Sequence, residues 1–147
     1  MIERLLSYAT LLNCELMTLN KYNDYLNEIF LQHPDNDLLL ELQWCSNDIK
    51  NTIGTICEYS SKVEIDYDVF GKLFFNELKL AYKEMDINSF AAKAYSAWNL
   101  LPDKIKEIEP FFTLCYADDP LSWGDENQTR EHYENTFVYY EKHNKRI

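Results

Sequence analysis

Glycine and proline are scarce in this sequence, which has only 3 glycines and 4 prolines among 147 residues. Sandwiches and barrels need many turn residues, and parallel α/β folds usually need glycine-rich loops. The composition therefore favours helices. A hydrophobic fraction of 46% and an aromatic fraction of 15% are sufficient for a packed core and argue against disorder. We expect a single all-α domain over residues 1–147.

Long hydrophobic runs are also missing, since no stretch approaches the roughly 18 consecutive apolar residues of a membrane span. The N-terminal segment has no basic region followed by an apolar run and a cleavage site, so it predicts a helix and not a signal peptide. No two cysteines have the spacing of a metal or redox motif; the four are Cys14, Cys45, Cys57 and Cys115. These features predict a reduced, cytoplasmic protein with no membrane partner.

Basic residues are few. The sequence has 14 lysines and arginines against 25 aspartates and glutamates, for a net charge of −11. Phosphate backbones and anionic membranes would be repelled by this balance, so we expect no nucleic-acid partner. Residues 107–141 contain nine acids and one base, Arg130, for a local net charge of −8. A cationic protein is the natural complement of such a segment.

Apolar periodicity predicts a bundle of five or six helices packed as antiparallel hairpins. Over residues 3–31 apolar residues recur in a seven-residue pattern, which predicts an apolar stripe down one face of a helix or a helix pair. This pattern is compatible with a coiled-coil dimer, although a helix packed inside its own bundle is favoured. Residues 60–68 and 117–126 are predicted loops. The remaining helices are expected over residues 37–59, 70–85, 90–101, about 103–108 and from 127 onward.

The third and fourth predicted helices have the large–small–large spacing of a helical hairpin, in Phe75, Leu78, Tyr82, Ala91, Tyr95 and Trp98. This pattern resembles a tetratricopeptide-type hairpin. It departs from that family at Lys79, where a small residue is preferred, and at Pro102, which comes one residue late. No second copy is evident, and a stable array needs about three repeats. The pattern therefore predicts one hairpin and not a peptide-binding superhelix.

The most distinctive segment is residues 116–126, where two acidic pairs bracket Trp123. An aromatic ring among carboxylates suits an acidic interface, because the ring supplies desolvated area while the carboxylates attract lysine and arginine. The alternative is that Trp123 folds onto the core and Asp125 merely caps the next helix. The predicted partner-binding residues are Tyr116, Asp118, Asp119, Trp123, Asp125, Glu126, Glu131, Tyr133 and Glu134.

Motifs for catalysis are missing. The acidic loop lacks the alternating aspartates of a calcium site, and no Glu-x-x-His pair suggests a di-iron bundle. The chain has no glycine-rich phosphate loop, no Gly-x-Ser-x-Gly elbow and no signature of a cysteine nucleophile. His132 lies between acids on the last helix, which is better explained by a solvated polar face than by a general base. We predict no catalytic residues, no metal and no cofactor.

Small size, strong acidity, missing catalytic motifs and an aromatic residue among acids together resemble a bacterial immunity protein, which neutralises a cognate toxin. The resemblance implies that the carboxylates mimic phosphates in the basic cleft of a toxin such as a nuclease, with Trp123, Tyr116 and Tyr133 as anchors. Two alternatives stay open. A peptide-binding adaptor predicts exposed Tyr82 and Tyr95 on the hairpin. An enzyme with a carboxylate site assembled from distant residues predicts a deep pocket holding perturbed carboxylates.

Overall fold

The computed structural model describes residues 1–144, of which about 75% are helical and none lies in a strand. This confirms the predicted all-α class. None of the described helices is both long and apolar enough to cross a membrane. The helices are α1 (Ile2–Asn13), α2 (Leu19–Gln32), α3 (Asp37–Trp44), α4 (Ile49–Ser60), α5 (Tyr67–Glu84), α6 (Ile87–Asn99), α7 (Asp103–Lys106), α8 (Thr113–Tyr116), α9 (Glu126–Phe137) and α10 (Tyr139–Asn144), with a 3₁₀ turn (Asp119–Trp123) between α8 and α9.

Of the two possibilities for residues 3–31, the single long helix that was favoured is wrong, because the segment forms a pair of helices, α1 and α2. Glu15 has a φ of 59°, in the left-handed region that ends a right-handed helix. Thr18 then caps α2, accepting a hydrogen bond from the backbone N–H of Lys21. The apolar pattern is therefore shared between two helices of one core, and it is not the seam of a coiled coil.

The predicted helix over residues 37–59 is likewise two helices, α3 and α4. Asn47 has a φ of 74°, and the Asp48 side chain caps α4 by accepting from the backbone N–H of Asn51. The last predicted helix is interrupted at Val138, between α9 and α10. These three breaks, together with the short helix α8 where no helix was predicted, give ten α-helices among the described residues, whereas periodicity predicted five or six.

Helix α1 is the centre of the fold. Residues 5–12 are all buried, including the polar Ser7 and Thr10, and the helix packs against both α4 and α5. A helix that is buried on nearly every side has neighbours all around it. On α5, Phe70, Phe74 and Phe75 are buried and their rings contact Phe111. This aromatic cluster joins α5 to the segment that leads into α8.

The C-terminal part of the fold packs onto α5. Helix α9 contacts α5, α8 and the 3₁₀ turn. The Tyr140 ring of α10 lies against Gly71 of α5, where a Cβ atom would come within 1.9 Å of the tyrosine hydroxyl. Gly71 therefore allows the close approach of α10. The 3₁₀ turn and α9 together present the predicted acidic residues at the surface.

Candidate functional site: an acidic surface around Trp123

The segment that carries Trp123 is a fixed turn. Pro120 is buried near the start of the 3₁₀ turn, and Gly124 ends it with a φ of 81° that favours glycine. The backbone N–H of Asp125 donates to the carbonyl of Pro120 over 2.9 Å, and the Asp125 side chain caps α9 by accepting from the N–H of Gln128. The predicted loop is therefore held at both ends, which limits the positions available to Trp123.

Trp123 is 64% exposed, so it lies at the surface. This confirms its predicted exposure and excludes the alternative in which it packs into the core. Asp125 does cap the next helix, as that alternative proposed, so one residue combines a structural role with a surface position. The exposed carboxylates near the tryptophan in sequence or on α9 are Asp119, Asp125, Glu126, Glu131 and Glu134.

The one base of this segment is already engaged. The Nε atom of Arg130 donates to Glu126 over 2.8 Å, and its Nη1 donates to the hydroxyl of Tyr82 over 3.2 Å. Glu134 accepts a hydrogen bond from that same hydroxyl. Within residues 1–144, no ion pair involves Asp119 or Glu131. Within the described residues, the negative charge of the surface is therefore mostly not neutralised.

Asp118 has the least favourable environment of the predicted carboxylates. Its Oδ1 atom is buried and has no hydrogen-bond partner within the described residues. Burial raises the pKa of its carboxyl group, and the neighbouring charge of Asp119 adds to the rise. The folded protein therefore holds an ionised Asp118 at a cost in stability, which is common at functional sites.

Tyr116 extends the surface on the side of α8. It is partly buried, its hydroxyl donates to Glu109 over 3.2 Å, and its ring contacts those of Phe112 and His132 edge-on. Phe112 is 36% exposed. Neither Phe112 nor Glu109 was among the predicted residues. Helical spacing gave no signal for them, because both residues precede α8, which begins at Thr113.

Tyr133 was predicted to be a partner-binding anchor, and the structure corrects this. It is fully buried, its ring packs edge-on against Phe90 with centroids 4.8 Å apart, and burial raises the pKa of its hydroxyl. On α9 the residues at 129, 133 and 136 face inward, whereas Glu131 and Glu134 face outward. The Trp123 surface therefore comprises Tyr116, Asp118, Asp119, Trp123, Asp125, Glu126, Glu131 and Glu134.

The hairpin of α5 and α6 does not present both of its tyrosines on an open face. Tyr82 is partly buried beneath α9, where its ring contacts Tyr133 and Phe137 and lies 5.6 Å from the guanidinium carbon of Arg130. Tyr95 is 39% exposed. The chain's own α9 thus covers the part of the hairpin where the adaptor alternative required an exposed Tyr82.

A cleft of about 590 Å³ lies between α1, α4 and the start of α5, away from the Trp123 surface. Its lining is largely apolar and includes one carboxylate, Glu64, and one amine, Lys104. The enzyme alternative required a pair of perturbed carboxylates in such a cleft, whereas Asp118 lies at the 3₁₀ turn. No group of three or more potential metal ligands is assembled in the described part of the chain.

Comparison with known proteins assigns no function to this surface. No protein family, curated protein or solved structure matches the chain. The function must therefore be argued from the chemistry of the surface.

Proposed function

We propose that this protein is a non-catalytic acidic binding protein that neutralises a cationic partner, as an immunity protein neutralises its cognate bacterial toxin. One observation carries the proposal: Trp123 is 64% exposed on a fixed turn, among exposed carboxylates. A large ring in water is a ready anchor for a partner, because its burial on binding releases apolar area.

The charges around this anchor favour a basic protein. Asp119 and Glu131 have no ion-pair partner among the described residues, and Arg130 is held by Glu126 and Tyr82. Unpaired carboxylates accelerate the encounter with a positively charged surface and pair with it on contact. A cation placed beside Asp118 would also relieve the cost of its ionisation. The free protein thus carries unpaired negative charge on this surface, which a basic partner would neutralise.

A toxin nuclease fits this chemistry, because its cleft must carry lysine and arginine to hold phosphates. In this proposal the carboxylates of the Trp123 surface occupy the positions of phosphates and block substrate. The rigid turn reduces the conformational entropy lost on binding. Such an inhibitor acts in the bacterial cytoplasm, where it protects the cell from the toxin.

The proposal is tested by co-expression with the products of the genes on either side of this one, among which a basic toxin is the expected partner. We expect the wild-type protein to form a complex and restore growth, and Trp123→Ala with Asp119→Lys to fail. Glu64→Lys is the charge-matched control, because Glu64 is exposed in the segment before α5. Failure of the wild-type protein to bind or protect would refute the function. Equal protection by the double variant would refute the site.

A further inference from the structure

The charge of the N-terminal half is as unevenly placed as that of the C-terminal segment. Residues 22–49 contain six acids and no lysine or arginine, and this stretch accounts for the entire negative excess of the first 106 residues. The six carboxylates belong to residues that are all exposed. They are Asp24, Glu28, Asp35, Asp37, Glu41 and Asp48.

The structure brings this stretch together as two neighbouring helices. A four-residue link joins α2 to α3, and the side-chain amide of Gln43 donates to that of Asn27 over 3.0 Å. Residues three and four apart share a helix face. The outward face of α2 therefore carries residues 24, 27, 28 and 31, and that of α3 carries residues 37, 40, 41 and 44, all exposed.

Apolar side chains stand among these carboxylates. Trp44 is 88% exposed and Leu31 is 80% exposed, and Leu40 lies one helical turn before Trp44 with 37% exposed. In contrast, the opposite face of α3 is buried through Leu38, Leu39 and Leu42. The indole N–H of Trp98 donates to the carbonyl of Lys106, whereas that of Trp44 has no partner among the described residues. The outward face therefore leaves a large aromatic ring in water.

The carboxylates of this face form no ion pair within residues 1–144. Lys21, the base that immediately precedes the stretch, pairs with Glu77 of α5. Lys62 lines the same cleft as Asp37 and Glu41 but pairs with Glu58. The face therefore combines exposed apolar area with unpaired carboxylates, those of Asp24, Glu28, Asp37 and Glu41.

We infer that this Trp44 face, formed by Leu31, Leu40, Trp44 and the carboxylates of Asp24, Glu28, Asp37 and Glu41, is a docking surface for a basic amphipathic segment of a partner protein. Charge complementarity selects this occupant. Nucleic acid and anionic membranes would be repelled, and a second copy joined by this face would bring two sets of four carboxylates together. A helix with an apolar stripe flanked by lysine or arginine can cover the ring and neutralise the carboxylates.

The Trp44 face is separate from the Trp123 surface. Helix α2 packs against α3, and α3 against α4, whereas α9 packs against α5, α8 and the 3₁₀ turn. The inference rests on the proposed function in one respect only: both require a positively charged partner. It requires neither a toxin nor binding at Trp123.

The test is a titration of the full chain with a synthetic amphipathic helical peptide of leucine and lysine, followed by NMR of the backbone amides and tryptophan indoles. We expect saturable shifts on α2, on α3 and at the Trp44 indole. Trp44→Ala should weaken the affinity by about tenfold or more, as loss of a central aromatic anchor does. Leu80→Ala is the matched control and should leave this affinity within about twofold, since Leu80 is an exposed apolar residue of α5 outside both acidic surfaces.

Three results would overturn the inference: no saturable binding, shifts confined to the Trp123 surface, or an affinity that Trp44→Ala leaves unchanged. Equal binding of the peptide with glutamate in place of lysine would refute the charge argument. A dimer in sedimentation, abolished by Trp44→Ala, would identify a second copy as the occupant and would also overturn it. Loss of protection in the co-expression assay, with peptide binding intact, would refute only the proposed function.

Discussion

Tyr133→Ala should lower the stability of the protein, whereas Trp123→Ala should weaken partner binding. Both residues had been predicted from the sequence to belong to one binding surface. Tyr133 of α9 is fully buried, and its ring packs against Phe90 of α6. Removal of a buried aromatic ring costs about 3–5 kcal/mol of folding free energy. Trp123 is 64% exposed, so little more than a third of its surface is covered. A fully buried aromatic covers about 150–250 Å². The covered part, roughly 70 Å², corresponds to about 2 kcal/mol at most.

Thermal and binding measurements separate these outcomes. One kcal/mol shifts the melting temperature of a chain of this size by about 2–4 °C. We therefore expect Trp123→Ala to melt within several degrees of the wild type, and Tyr133→Ala to lose about 10 °C or more. Trp123→Ala should weaken binding of the cognate basic protein by about 2 kcal/mol, close to thirtyfold.

The reasoning is refuted if Trp123→Ala lowers the melting temperature as far as Tyr133→Ala does, because Trp123 would then belong to the core. An unchanged affinity in a well-folded Trp123→Ala protein would remove the tryptophan from the interface. Ser122→Ala is a control on the same turn. Ser122 is exposed, and its hydroxyl donates a hydrogen bond to the backbone carbonyl of Asp119. This variant therefore perturbs the turn while it leaves the indole ring of Trp123 in place.

Further expectations concern charge and packing. Burial raises the pKa of Asp118, so the folded state binds this proton more tightly than the unfolded chain and the ionised group costs stability. Asp118→Asn should raise the melting temperature at neutral pH, and this gain should disappear as the pH falls below the ordinary aspartate pKa range. A melting temperature below that of the wild type at neutral pH would contradict this. Gly71→Ala should destabilise by displacing Tyr140, but should stabilise by about 1 kcal/mol in a Tyr140→Ala background, which unfolding in denaturant can measure. Trp44→Ala should change stability by less than about 0.5 kcal/mol, because the side chain is 88% exposed. The chain should not bind DNA at physiological salt in a gel-shift assay.

The helical class was predictable because apolar residues at helical spacing have few other ways to reach a core. Four leucines recur every seven residues in the first apolar pattern, and of these Leu5, Leu12 and Leu26 are buried while Leu19 is partly buried. The breaks between helices were not predictable from the same signal. Glu15 and Asn47 both have positive φ. Asparagine tolerates this conformation and gave a weak warning, whereas glutamate gave none.

One misplaced aromatic residue, Tyr133, shows where periodicity needed to be applied more strictly. Tyr133 lies in a 129–133–136 pattern that faces the core, so its burial was readable from α9 alone. For Trp44, no position was predicted from the sequence. Once Leu38, Leu39 and Leu42 fill the inner side of α3, Trp44 must point outward. Only the structure gives its degree of exposure.

The distribution of charge along the chain argues that the acidity of this protein serves binding and not only solubility. Residues 1–21 and 50–106 are each electrically neutral, whereas residues 22–49 carry −6 and residues 107–141 carry −8. The two tryptophans that are mostly exposed, Trp44 and Trp123, fall in the two acidic stretches. Trp98, whose indole is bonded to a backbone carbonyl, falls in a neutral one. Solubility alone would be served by acids placed anywhere on the surface. Coincidence of unpaired acids with water-exposed indoles is instead expected where a basic protein must be both attracted and held.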